Sequence, residues 1–272
     1  MKTIEFLRSV LGGSGYYCVF AANAATDKRV QKFYDSLEAV AKAADHFDAD
    51  GFDVYFGLGT LREAGSRKKE NVASLKSLFL DLDVGPIKEY PDQQQAVQAL
   101  RKFVGELNLP KPMLINSGRG VHVYWPLTEP APLAEWLTVA ERLKKVCAER
   151  GLRADPVVTA NSAQILRPPN THNYKPVKFG DPPLPVERIG VTEPVPVELS
   201  AFMQLLGAEL KPVSTQIDLG PDALQEALAA NKESVFKSIV SKTLNGRGCA
   251  QLKNVWENQN TLSEPLWRAG LS

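Results

Sequence analysis

Cysteine is scarce in this chain. Its three cysteines, Cys18, Cys147 and Cys249, are scattered across 272 residues. An odd, unclustered set forms neither a disulfide framework nor a zinc site, and it fits a reducing cytoplasm. Long apolar runs are also lacking. No stretch reaches the ~18 residues of a membrane span, so no membrane partner is expected. Met1 to Glu5 brings an acidic residue at once and no long apolar run after it, so this segment is not expected to be a secretory signal. An excess of one charge is missing as well. The net charge is +1 and the pI about 7.7, whereas a domain that grips nucleic acid by bulk charge usually has a pI above roughly 9. Internal repeats and low-complexity blocks are absent.

What is present is an ordinary globular composition, 44% apolar and 23% charged. That excludes a disordered, collagenous or coiled-coil chain. The length suits one large domain, or one domain with a small appendage. Two segments are locally basic: Arg62–Lys76, with five basic and two acidic residues, and Arg142–Arg153, with five and one. Either is an ordinary solvated face or a track for phosphates. In the second case Arg67, Lys68, Lys144 and Lys145 are the candidate template-binding residues.

Strand-like and helix-like segments alternate over the first ~170 residues, the pattern of an α/β or α+β domain. Tyr16–Phe20, Phe52–Phe56, Leu78–Val84, Pro112–Asn116 and Val121–Trp125 read as strands. Asp27–Ala44, Asp92–Leu107 and Leu133–Glu149 carry apolar residues at helical spacing. Pro176–Pro196 holds six prolines and predicts an extended linker or surface strap. Beyond it only short helices are expected. The boundary falls near 195, giving a catalytic part at 1–195 and a helical module or linker at 196–272. The chain stops inside an apolar helical pattern, Glu264–Leu271, which predicts a fragment of a longer protein.

Four segments can carry chemistry. In Leu78-Phe79-Leu80-Asp81-Leu82-Asp83-Val84, strand alternation puts Leu78, Leu80 and Leu82 toward the core, with Phe79, Asp81 and Asp83 on the other face. Two carboxylates on one strand face repel each other and raise each other's pKa unless a cation lies between them. Oxygen ligands suit Mg²⁺ or Mn²⁺. Ser117-Gly118-Arg119-Gly120-Val121-His122 is a tight turn whose backbone N–H groups, Ser117 and Arg119 can meet phosphate, followed by a histidine. Ala154-Asp155-Pro156 offers a third carboxylate on backbone biased to be extended. In Leu166-Arg167-Pro168-Pro169-Asn170-Thr171-His172-Asn173-Tyr174-Lys175, two cations bracket a stiff turn. Two fixed cations suit the charge of a reacting triphosphate.

In this order the segments resemble the archaeo-eukaryotic primase superfamily, in the primase-polymerase branch of phages and plasmids. Its hhDhD/E, sxH and hD motifs are matched by Phe79–Asp83, Gly120–His122 and Ala154-Asp155. The extended second motif, SGxGxHxYW, is matched throughout Ser117–Trp125. The fourth, LRxPGTxNxK, is matched over Leu166–Lys175 except that Asn170 replaces glycine. Asn tolerates left-handed backbone better than most residues. The resemblance covers roughly residues 10–178, with a softer match in Gly248–Trp267 to a helical module that often precedes a helicase.

The resemblance implies an α+β protein with an RRM-like catalytic core, a flanking α/β unit and a small helical appendage. It implies template-directed nucleotidyl transfer from NTPs or dNTPs on single-stranded DNA, with two divalent metals, Mg²⁺ or Mn²⁺, in a bacterial host's cytoplasm. Asp81, Asp83 and Asp155 would be the metal ligands. His122 would bind the triphosphate, with Ser117, Arg119, Arg167, Asn173 and Lys175 as further nucleotide contacts. A helicase domain or partner beyond residue 272 is expected with it. Two other readings remain at this point. One is a haloacid-dehalogenase phosphatase, which also carries a DxD after an apolar strand but has no use for the Ser117–Trp125 turn. The other is a non-catalytic module that binds single-stranded DNA or an origin.

Overall fold

A computed structural model describes residues 1–191 and 193–207. The short helices expected beyond 207, the softer match at Gly248–Trp267 and the chain end lie outside the described residues. Along the chain run α1 (Thr3–Val10), β1 (Tyr17–Ala22), β2 (Arg29–Tyr34), α2 (Leu37–Ala49), β3 (Asp53–Gly57), β4 (Gly59–Leu61), β5 (Val72–Leu82) and α3 (Gln93–Glu106). Then follow β6 (Met113–Asn116), β7 (Val121–Pro132), α4 (Leu133–Glu149), α5 (Pro156–Thr159), β8 (Ile165–Leu166), β9 (Thr171–Asn173), β10 (Leu184–Ile189) and α6 (Leu199–Leu205). The fold is α+β. A four-stranded sheet has the order β2-β1-β3-β8, and a six-stranded sheet the order β4-β5-β7-β6-β10-β9. Every pairing within them is antiparallel.

Helix α1 joins the two sheets. Its Phe6 ring meets Phe56 of the first sheet edge-on at 5.4 Å and Tyr124 of the second at 5.3 Å. Rings in that geometry contribute about 0.5–1.5 kcal/mol beyond their buried area. The six-stranded sheet is covered on both faces. Leu78, Leu80 and Leu82 are fully buried, as expected, and so is Phe79, whose ring packs on Trp136 of α4 at 5.3 Å. The face of β5 opposite the leucines is therefore a second apolar layer that opens only at its Asp81 end. Helix α6, past the boundary expected near 195, buries Phe202, with its ring 5.4 Å from that of Trp125.

Two expected elements differ. Asp27–Ala44 is not one helix: Arg29–Tyr34 pairs with β1 as a hairpin strand, and helix α2 starts only at Leu37. Val30, Phe33 and Tyr34 favour strands, Asp27 takes a left-handed turn at φ 54°, and Ser36 caps the helix by accepting from the Ala39 N–H. Pro176–Pro196 is not a plain linker. It contains β10, which pairs with β6 through Glu187–Ile189 and with β9 through Leu184–Val186. Pro185 fits there because β10 changes partners at this point, and the Val186 side chain beside it is fully buried.

Candidate active site

The centre of the site lies where β5 and β7 end together. Asp81 is directly opposite His122, and Leu82 opposite Val121. The close approach needs Gly120: a Cβ there would lie 2.6 Å from the Leu82 carbonyl oxygen. Gly118, at φ 92°, turns the chain back beneath Asn173, 2.7 Å from where its Cβ would be. Gln93 braces this turn from α3, donating to the Asn116 side chain at 2.6 Å and the Arg119 carbonyl at 3.0 Å.

Asp155 reaches the same place from a distant part of the chain. Its backbone N–H donates to the Asp81 carbonyl at 2.9 Å. Its ψ of 111° is extended, as the following Pro156 demands, and its carboxylate caps the short α5 through the Val157 N–H at 2.8 Å. Asp83, just past β5, accepts from the Lys88 ammonium at 2.9 Å.

Electrostatics bind the three carboxylates into one group. Burial, then the charges of Asp83 and Asp155, push the Asp81 carboxyl up to about 7, against the pull of Arg167 and Lys175. Its side chain retains 20% exposure, so it opens to solvent rather than being sealed in. Among the described residues no three His, Cys, Asp or Glu side chains converge as a ready metal cage. Asp83 is held by Lys88 and Asp155 by its own helix. The donor set, three hard carboxylate oxygens short of positive charge, nonetheless fits a hard divalent cation.

His122 is 3% exposed. Burial, and then the Arg167 charge, lower its pKa to about 3, while a hydrogen bond with the Arg167 backbone pulls the other way. The ring is therefore neutral at physiological pH, and it can offer a phosphate a hydrogen bond but no charge. Its Nε2 lies 4.0 Å from Asp81 Oδ1, and its Nδ1 is buried without a partner among the described residues. The hydroxyl of fully buried Tyr124 likewise has none.

The Arg167–Lys175 segment closes the site differently from expectation. Arg167 is buried, and its guanidinium donates to Asp53 Oδ1 at 2.6 and 3.1 Å and to the Tyr55 hydroxyl at 2.6 Å. Most of its donors are thus used inside the protein, though its charge still reaches Asp81. Asp53 also accepts from the Tyr174 N–H at 3.1 Å. Asn173 is buried and structural: its amide donates to the Ser117 carbonyl at 3.2 Å, and its oxygen accepts from the Lys175 N–H at 3.1 Å. Ser117 is buried within the turn, while Arg119 and Lys175 are exposed. Partial burial and the Arg167 charge lower the Lys175 pKa. Asn170 adopts the left-handed conformation, φ 65°, and its amide donates to the Thr3 hydroxyl at 3.1 Å. It thus performs the turn expected of glycine.

Asp53, Tyr55, Lys88 and Gln93 belong to the site and are not among the expected residues. Asp53 carries the same signal as Asp81, an acid inside an apolar strand. The basic candidates divide. The Arg67 guanidinium donates to the Ala163 carbonyl, and Lys68 is exposed beside it. Lys144 and Lys145 lie on α4, 3.7 Å from Glu141 and 4.0 Å from Glu149. Arg142 shares Glu149 with Lys145, at 3.4 Å, and exposed pairs of this kind contribute little energy.

No family model and no curated protein matches the sequence. Solved structures do. The primase-polymerase domain of cyanophage S-2L superposes with a TM-score of 0.51 at 18% identity, covering 71% of this chain and 89% of that one. Primase RepB' gives 0.50 at 14% identity, covering 99% and 86%. The fold is similar to that of these primase and primase-polymerase structures. At these identities the likeness concerns the fold; within it, Asp81 lies at the paired ends of the adjacent strands β5 and β7, with Asp83 just past β5 and Asp155 bonded to the Asp81 carbonyl.

Proposed function

We propose that this chain is a template-directed nucleotidyltransferase, a DNA primase-polymerase that extends or starts strands on single-stranded DNA. The observation that carries the reading is geometric: the Asp155 N–H donates to the Asp81 carbonyl at 2.9 Å and Asp83 follows just past the end of β5, so that three acidic residues from two distant segments share one strand end. Burial and the charges of Asp83 and Asp155, which raise the Asp81 pKa, agree with a place for a cation there. Asp81, Asp83 and Asp155 would hold Mg²⁺ or Mn²⁺. Such ions, when bound, activate a 3′-hydroxyl and neutralise the departing pyrophosphate.

The chain's own residues supply position and charge. Lys175, exposed and with its charge felt at Asp81, suits the outer phosphates of an NTP or dNTP, and Arg119 is exposed in the glycine turn. His122 contributes a neutral ring nitrogen. Arg167, fixed by Asp53 and Tyr55, favours the ionised form of Asp81. Lys88 now occupies the charge of Asp83 that a cation would take. Neither a strong general base nor a covalent intermediate is required.

The test is nucleotide incorporation on single-stranded DNA, primed and unprimed, with Mg²⁺ or Mn²⁺, with wild type beside Asp81→Ala. Extension that requires the metal and vanishes in the variant supports the reading. Products without a primer would add priming. DNA binding without incorporation under any condition would replace the reading with that of a non-catalytic DNA-binding module.

A further inference from the structure

The four-stranded sheet has one face packed on α2 and another that no described helix covers. Register fixes which side chains share the second face. Phe20 lies opposite Tyr55 on one side and Gln31 on the other; Ala22 lies opposite Asp53 and Arg29; Cys18 lies opposite Phe33. The Phe20 and Tyr55 rings are 6.1 Å apart and both are half-buried, while Gln31 and Arg29 are exposed. At one end the face runs into a groove of about 730 Å³ whose charged lining is Arg67, Lys68, Lys69 and Glu70, with Gln31 and Gln164 beside them, a net positive set. Lys68 and Lys69 are exposed, with Glu70 next in the chain, and neither lysine makes an ion pair among the described residues. At the other end lies Arg167, 4.6 Å above the Tyr55 ring, whose charge reaches Asp81.

The face is closed at Cys18 and Asp53, which are buried, and accessible at Phe20 and Tyr55 between them. Half-exposed aromatics on adjacent strands with unpaired cations at the rim have the chemistry that binds single-stranded nucleic acid. Bases stack on the rings while the cations follow the phosphates. We infer that this face, Phe20 and Tyr55 with Arg29, Lys68 and Lys69, is the bed of the single-stranded DNA template, leading past Arg167 to the carboxylates. Charge complementarity and continuity with the carboxylate site favour a nucleic-acid strand over a protein helix as occupant. Its assignment as template rests on the polymerase reading; binding itself does not. Lys144 and Lys145, on α4, lie outside this bed.

The experiment is fluorescence anisotropy of a labelled single-stranded DNA oligonucleotide in EDTA, without nucleotide, so that no catalytic step enters. Phe20→Ala is expected to weaken binding roughly tenfold, the loss of one stacked base. Phe20→Leu, which keeps the volume and strand preference, is expected to weaken it similarly and guards against misfolding in the first variant. Lys68→Ala with Lys69→Ala is expected to lower the slope of log affinity against log salt by about 1.4. Wild-type affinity in Phe20→Leu, or an unchanged salt slope in the double variant, overturns the inference. So does failure of the wild type to bind the oligonucleotide. In each of these cases metal-dependent incorporation that requires Asp81 would leave the polymerase reading intact, so the two fail separately.

Discussion

Replacing Asp81 by Asn should stabilise the metal-free protein, by an amount that grows as pH rises from about 4 and is complete above about 7. In the fold the carboxyl titrates near 7, because burial, Asp83 and Asp155 oppose its charge; in the unfolded chain it titrates near the ordinary value of about 3.9. Between those values the folded state holds a proton that the unfolded state has lost, so stability falls as pH rises through the window. At 1.36 kcal/mol per pKa unit the full penalty is roughly 4 kcal/mol above pH 7. With a fifth of the side chain still in water, about 2–3 kcal/mol is expected to remain after solvent screening. Asn has the same shape and no charge, so the variant escapes the penalty. The assay is urea unfolding of wild type and Asp81→Asn in EDTA at about pH 4 and about pH 8. The variant should gain about 2–3 kcal/mol on the wild type between the two pH values, and added Mn²⁺ should return that advantage to the wild type. Parallel pH dependence in the two proteins would refute the claim that Asp81 is ionised at an electrostatic cost.

Other consequences follow from the same geometry. Asp53→Ala leaves the buried Arg167 guanidinium unpaired and should cost about 3–5 kcal/mol, read by urea unfolding; a loss below 1 kcal/mol would mean that solvent already reaches Arg167. Gly120→Ala places a methyl 2.6 Å from the Leu82 carbonyl and should cost about 1–3 kcal/mol in urea unfolding, with loss of incorporation, while Gly105→Ala, with nothing within 4 Å, should be neutral or stabilising in the same urea titration. Tyr124→Phe removes a buried hydroxyl that lacks a partner among the described residues, so stability should stay within about 1 kcal/mol or rise; a larger loss would reveal a hydrogen bond from that hydroxyl.

Much of the site is legible in the sequence because its signals are local. An acid pair in an apolar strand, glycines flanking Arg119 and a proline after Asp155 each state their geometry within a few residues. The paired strand ends, the extended Asp155 and the left-handed Asn170 agree with them. Pairing across the chain is not legible in that way. Arg167 and Asp53 are 114 positions apart, and nothing near either residue announces that the guanidinium is used internally. Burial of His122 likewise depends on both faces of the central sheet being covered. The segment from Asp27 misleads because Val30, Phe33, Tyr34 and Leu37 mimic a helical period across a strand and a cap. Pairing with β1 outweighs that period, and helix begins only where Ser36 provides a cap.

The most direct test of the central claim, that Asp81, Asp83 and Asp155 together bind a divalent cation, is Mn²⁺ binding followed by electron paramagnetic resonance. Wild type should be compared with Asp81→Asn and Asp155→Asn, each shown to be folded. The expected result is saturable Mn²⁺ binding by the wild type, displaced by Mg²⁺ and lost or weakened at least tenfold in both variants. Equal Mn²⁺ affinity in all three proteins would contradict it.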